Sequence, residues 1–259
     1  MYGWRGRIGL VVPAINTTME TEFWRMAPAG VSVHSARIAG GRLGTLEELR
    51  SMENASKQAA LEIAMVEPDV VVYGCTSGSF FKGPDCNKKF GERLSAITKA
   101  PTITSAGAMA ACLAAGGYKK VDIVTPYVEL TNERLKQFLK AQGVEVVKLG
   151  TFDMLDMFDH AKIRPEEIYA KVKTIATPEG EAVFVACAQL RALEVLDALE
   201  RDLGKPVYSA VQASAWQAYQ AMGVDPEIVD CGSLLRKLSK PGSQKSAVQG
   251  ASLGLRAGS

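Results

Sequence analysis

Histidine is nearly missing from this chain: His34 and His160 are the two it has among 259 residues. The five cysteines (75, 86, 112, 187 and 231) form no CxxC pair and no Cys/His cluster. Zinc frameworks need closely spaced N and S ligands, so no metal site is expected, and each histidine reads as a surface or locally bonded residue. Charge of one sign is also lacking. Thirty Lys and Arg against 28 Asp and Glu leave +2, which gives no basic field for nucleic acid. Long apolar runs are absent too. The richest, "AGAMAACLAAGG", is short and stopped by Gly116 and Gly117, so no membrane span is expected. "GGRLGT" at 40–45 is not GxGxxG, and neither GxxxxGK[ST] nor GxSxG occurs. Dinucleotide, P-loop and hydrolase-elbow readings fall away with them. The opening "MYGWRGRIGLVVP" has no signal-peptide core, because Pro13 ends its apolar run. A cytoplasmic location with reduced thiols is the expectation.

What the chain does have is alternation. "RIGLVV", "VSVHSARI", "DVVVYG" and "APTITSA" read as strands separated by helical patterns. Thr17–Glu20 and Thr45–Glu48 have the spacing of capping boxes, in which each side chain satisfies the other residue's free backbone N–H. The pattern then starts again with "KVDIVTPY", "VEVVKLG", "EAVFVAC" and "KPVYSA", with a helix expected over 189–203 and a last short one over 232–239.

The spacing of the two halves matches. Pro13 lies 18 residues before Val31, and Pro126 lies 18 before Val144. Cys75 follows Pro13 by 62 residues, and Cys187 follows Pro126 by 61. Each cysteine therefore falls just after the third strand of its half. Such a repeat predicts an α/β protein of two similar lobes, 1–115 and 116–239, each with a parallel sheet. Lobes related by a pseudo-twofold would place both cysteines in the cleft between them, at the carboxyl ends of the strands, where open α/β sheets bind ligands. The Gly- and Ser-rich 240–259 reads as a disordered tail.

Cys75 opens "CTSGSFFKG", whose hydroxyls and glycine-freed amides suit a carboxylate. Cys187 precedes the expected helix by two residues, so a helix dipole should lower its pKa. Asn16 and Tyr127 follow the first strands of their halves and reach the same edge; Asn16 would serve equally as a helix cap and Tyr127 as an amphipathic residue at the sheet rim. Two thiols flanking a small anion suit attack on carbon with proton delivery, or exchange of an acidic C–H proton between faces, and neither scheme needs a cofactor. Cys86, Cys112 and Cys231 show no repeat relation and read as packing residues. Asp153, Asp156 and Asp159 read as solvated rather than metal-binding.

The stretches "GLVVPAINTTMETE", "VVVYGC", "PTITSAGA", "IVTPY" and "ACAQLRAL" resemble the aspartate/glutamate racemase superfamily, and within it the maleate cis-trans isomerase branch. "TSGSFFKG" and "YVELTNERL" are similar to arylmalonate decarboxylase, which has glycine where this chain has Cys75. The resemblance implies a homo-oligomeric, dimeric or tetrameric, cofactor-free isomerase of a small carboxylate, maleate to fumarate. By it, Cys75 and Cys187 are catalytic: Cys75 would add to the alkene to give a succinyl-cysteine, and Cys187 would handle the proton. Asn16, Thr76, Ser77 and Tyr127 would hold the carboxylates. The branch tends to carry a substrate-binding Asn in the loop that here reads "TFDMLDM", with Met154 near that place. A racemase using the same thiols as two bases, and a non-catalytic small-acid binding protein, stay open as alternatives.

Overall fold

In the computed structural model, which describes residues 1–226, 228 and 230–236, the chain begins with β1 (Gly6–Pro13), α1 (Met19–Met26), β2 (Val31–Ile38) and α2 (Leu46–Ala64). It continues through β3 (Val70–Tyr73), α3 (Thr76–Phe80), α4 (Pro84–Thr98), β4 (Thr102–Thr104) and α5 (Ser105–Ala115). The second half runs β5 (Lys120–Thr125), α6 (Glu129–Ala141), β6 (Glu145–Thr151) and α7 (Pro165–Ile175). It ends with β7 (Ala182–Val185), α8 (Leu196–Leu203), β8 (Val207–Ser209) and α9 (Ala210–Met222). All ladders are parallel, in the orders β2-β1-β3-β4 and β6-β5-β7-β8. The two sheets share one topology, as the repeated spacing implies.

The central strands explain why. β3 (VVVY) and β7 (AVFV) are buried at every position, as strands covered by helices on both faces must be. The equivalent helices α5 and α9 pack against one another, with Ser214 Oγ donating to Ser105 Oγ at 3.5 Å. One apolar cluster runs from Ile8 and Val70 of the first sheet to Val121 and Val183 of the second. Among the described residues, no helix is long and apolar enough to cross a membrane.

Four local expectations change. The Thr45–Glu48 capping box forms, but Thr17–Glu20 does not. Asn16 Oδ1 takes the N–H groups of Thr18 and Met19 at 3.0 and 2.8 Å, and Glu20 turns instead to Arg37. The helix expected from 189 starts at Leu196, because Gln189 is drawn across to the first lobe, where it binds Ile15 and Thr17. The stretch between β3 and β4, for which the pattern predicts no helix, holds α4, started by Pro84 in its first turn. At the end of the chain, Ser233–Leu235 is a 3-10 turn. The rest of that expected helix (237–239) and the expected tail lie outside the described residues.

Glu22 of α1 sits at the lobe boundary, 7% exposed, with Oε1 accepting from Leu193 N at 3.4 Å and Oε2 unpartnered. Burial pushes its carboxyl up to about 8, partly offset by the Leu193 N–H. A carboxyl whose folded pKa is raised stabilises the fold below its unfolded pKa, and this contribution is lost as pH rises toward the folded one. Glu22→Gln keeps an acceptor for Leu193 and removes the charge. It should stabilise the protein by about 2 kcal/mol at pH 8 and by little at pH 4. Thermal melts at the two pH values check this; an equal shift at both would show that the charge is not the cause.

Candidate active site

In each all-parallel sheet the order of winding reverses between the two central strands, β1 and β3 in one and β5 and β7 in the other, so successive connections run to opposite sides. Loops leaving such neighbours part in opposite directions and open a crevice at the carboxyl ends. Those four loops carry Asn16, Cys75 to Ser77, Tyr127 and Cys187. All six expected site residues line a single cavity of about 380 Å³, counting its mouth, together with Met52, Met157, His160 and Gln189.

The lobes are tied together at this cavity. Asn16 Nδ2 donates to Ala188 O at 3.0 Å, and Ala188 N donates to Thr76 Oγ1 at 3.2 Å. Thr17 N donates to Gln189 Oε1 at 3.0 Å, and Gln189 Nε2 donates to Ile15 O at 2.9 Å. Asn16 therefore caps α1 through its oxygen and bridges the lobes through its nitrogen. One Nδ2 proton remains for the cavity.

Two glycines set the first thiol's place. A Cβ on Gly74 would overlap Met19 Sδ of α1 and meet Val12 Cγ1 of β1 at 2.7 Å, so glycine lets the β3 end run close under α1. A Cβ on Gly78 would stand 2.9 Å from both Cys75 Sγ and Tyr73 Oη. Cys75 Sγ lies 3.9 Å from Ser77 Oγ and also receives the Gly78 N–H and the Tyr73 hydroxyl. Burial raises its pKa, and these three donors oppose the rise.

On the other wall, Gln189 N donates to Cys187 Sγ at 3.4 Å, and the Tyr127 hydroxyl also donates to this sulfur. Thr76 in turn donates to the Tyr127 oxygen. Burial pushes the Cys187 thiol up to about 11 despite these donors. The expected lowering fails because Cys187 precedes an irregular turn, and the nearest α-helix begins nine residues on. The negative charges that Cys187 and Cys75 would carry raise each other's cost, as do those of Cys187 and Tyr127. The cavity is built to hold few anions of its own.

Sequence reading missed His160. It is 3% exposed, with Nε2 3.1 Å from Met154 O and Nδ1 3.9 Å from Cys187 Sγ. Met154 itself contributes that carbonyl and not a side chain to this cavity, whose loop-side lining is Met157 and His160. Of the other cysteines, Cys112 and Cys231 are buried as expected, whereas Cys86 is exposed in the first turn of α4. Asp156 and Asp159 are ion-paired with Arg42 and Lys162, and Asp153 is exposed. Among the described residues no group of three or more His, Cys, Asp or Glu could hold a metal.

Twin parallel α/β lobes, each sending one buried cysteine into a shared cavity with amide and hydroxyl groups in its lining, define a two-lobed α/β protein with a two-thiol cleft. The chain belongs to the arylmalonate decarboxylase family, whose model matches residues 8–235. It is 30% identical to maleate isomerase of Alcaligenes faecalis over 243 residues, 88% of this chain and 96% of that one. The structure of maleate isomerase from Pseudomonas putida S16 with maleate matches at TM-score 0.86 and 29% identity, covering 90% of this chain and 98% of the other. A mutant Nocardia farcinica maleate cis-trans isomerase with a covalently bound succinylcysteine intermediate matches at 0.84 and 28% identity, over 89% and 98%. These relatives bear out the resemblance that the motifs carried.

Proposed function

We propose that the protein is a cofactor-independent isomerase converting maleate to fumarate. The observation that carries this reading is the pair of buried thiols, one from each lobe, lining one small cavity. The likeness to maleate isomerases over nearly the whole chain supports it.

In this reading Cys75 thiolate adds to one alkene carbon. The π electrons move to the neighbouring carbon, which takes a proton from Cys187. The former double bond is now single and rotates; removal of a proton and expulsion of Cys75 give the trans acid. Asn16, Thr76, Ser77 and Tyr127 would supply neutral donors for the two carboxylates, Thr76 and Tyr127 by turning their hydroxyls from Tyr127 and Cys187 to the substrate, since no Lys or Arg is among the described residues lining the cavity. Neutral donors hold a dianion without neutralising it, which leaves the alkene's charge distribution to respond to the attacking sulfur.

The test is direct. Purified protein given maleate should form fumarate, seen in the vinylic proton spectrum, and rapid acid quench should leave one substrate mass on the Cys75 peptide. Solvent deuterium entering a chiral acid, with maleate untouched, would make it a racemase. No turnover of either, with inert thiols, would make it a binding protein. We also propose a homo-oligomer, supported by the exposed Trp4, Trp24 and Leu130. The five free cysteines support a cytoplasmic, reducing location.

A further inference from the structure

Two thiols are one proton too many for an addition that needs a thiolate on one side and a thiol on the other. Burial holds both Cys75 and Cys187 protonated at neutral pH. One proton must leave the pair and be held nearby. Among the described residues lining the cavity, His160 is the one side chain that is a base near neutral pH.

Its orientation suits that task. A carbonyl can only accept, so the 3.1 Å contact with Met154 O places the ring proton on Nε2. Nδ1 then carries the lone pair, and it points at Cys187 Sγ, 3.9 Å away. We propose that His160 is the base of this site, taking through Cys187 the proton that Cys75 must lose before it can attack.

The protons balance as follows. The Cys187 S–H proton moves to His160 Nδ1, giving thiolate and imidazolium. The Cys187 thiolate takes the Cys75 S–H proton, leaving Cys75 thiolate, Cys187 thiol and imidazolium. Addition forms the Cys75 S–C bond and moves the Cys187 proton to carbon, and the new thiolate is left facing Nδ1–H⁺. Elimination reverses each transfer. This assignment rests on the two-thiol isomerase reading, but the proton relay between Cys187 and His160 exists with or without maleate.

The surroundings poise the ring for intermittent charge. Burial lowers the His160 pKa, while the Met154 carbonyl and then Asp156 and Asp159 of its own loop oppose the fall, the aspartates tempered by their partners Arg42 and Lys162. Tyr127 packs edge-on at 6.0 Å, Cys187 is in contact, and Cys75 lies across the cavity. A dianion bound between the lobes adds negative charge beside the ring and favours the imidazolium when it is needed.

The experiment is the pH dependence of thiol alkylation in the intact protein, with sites resolved by mass spectrometry. In the wild type, both cysteines should react measurably at pH 7. In His160→Gln, which keeps a polar group but no base, alkylation of Cys187 and Cys75 at pH 7 should fall about tenfold or more, with maleate turnover down about 100-fold. Unchanged alkylation profiles in His160→Gln would overturn the proposal whether or not maleate is a substrate. Should the variant misfold, ¹⁵N-histidine spectra of the wild type decide: with only His34 to set aside, His160 should show the Nε2–H tautomer and shift on Cys187→Ser. An Nδ1–H tautomer would overturn the assignment.

Discussion

Replacing Cys75 with serine is expected to abolish turnover and leave the fold intact. The side chain is 5% exposed and small, and its neighbours Ser77 and the Gly78 N–H can serve a hydroxyl as well as a thiol. The thermal midpoint should therefore move by no more than about 3 °C. Chemistry is another matter. A serine hydroxyl ionises far above a thiol, is a harder nucleophile toward an alkene carbon, and has no strong base in contact with it. Both differences act in the transition state rather than in binding. kcat/KM should fall at least about a thousandfold, or 4 kcal/mol, with maleate affinity little changed. Retention of more than about a tenth of the wild-type kcat/KM, a loss under 1.4 kcal/mol, would remove Cys75 from the role of nucleophile. Progress curves with maleate, beside melts of the same preparations, settle both parts.

The position of Cys75 was legible because it depends on local rules. Four β-branched or aromatic residues at 70–73 demand cover on both faces, which makes β3 central, and the residue after a central parallel strand must reach the ligand edge. The same reasoning applied one repeat later found Cys187, and the first strands of each half gave Asn16 and Tyr127. His160 escaped it. Its tether is a backbone carbonyl, Met154 O, and backbone acceptors leave no mark on residue identity. It is also brought to Cys187 by a 3-10 turn, Asp159–Lys162, at the end of an irregular loop with no period to read. The surroundings of Cys187 were misread for a related reason. The segment "AQLRALEVLDALE" has good helix formers, yet Gln189 makes three contacts with the first lobe, and those contacts hold residues 188–190 in a turn. Tertiary bonds across the cleft outweighed local propensity.

Replacing Cys187 with serine is expected to stall the reaction after it has begun. Without the Cys187 relay the Cys75 proton leaves more slowly, to water, but Cys75 keeps the donors that favour its thiolate, so addition still starts, with the new carbanion taking a proton from water or the serine. The step that suffers is removal of a proton from the saturated adduct. A serine at this place, receiving the Gln189 N–H and the Tyr127 hydroxyl, is a far weaker acid and offers no thiolate to take the proton back. Loss of a positioned acid–base group lowers rate by about 10²- to 10⁴-fold. Because the loss falls after carbon–sulfur bond formation, the covalent species should build up on Cys75 toward one per chain instead of appearing only in a quench. Intact-protein mass after incubation with maleate reads this directly, and digestion should place the added mass on the peptide holding Cys75. A serine variant that is slow but never carries the adduct would mean that Cys187 acts before addition, as the thiol-deprotonating partner alone. Adduct on Cys187 in the wild type, and none on Cys75, would exchange the two roles. A racemase makes no carbon–sulfur bond at all, so one measurement separates the order of steps within the isomerase and the isomerase from its closest chemical alternative.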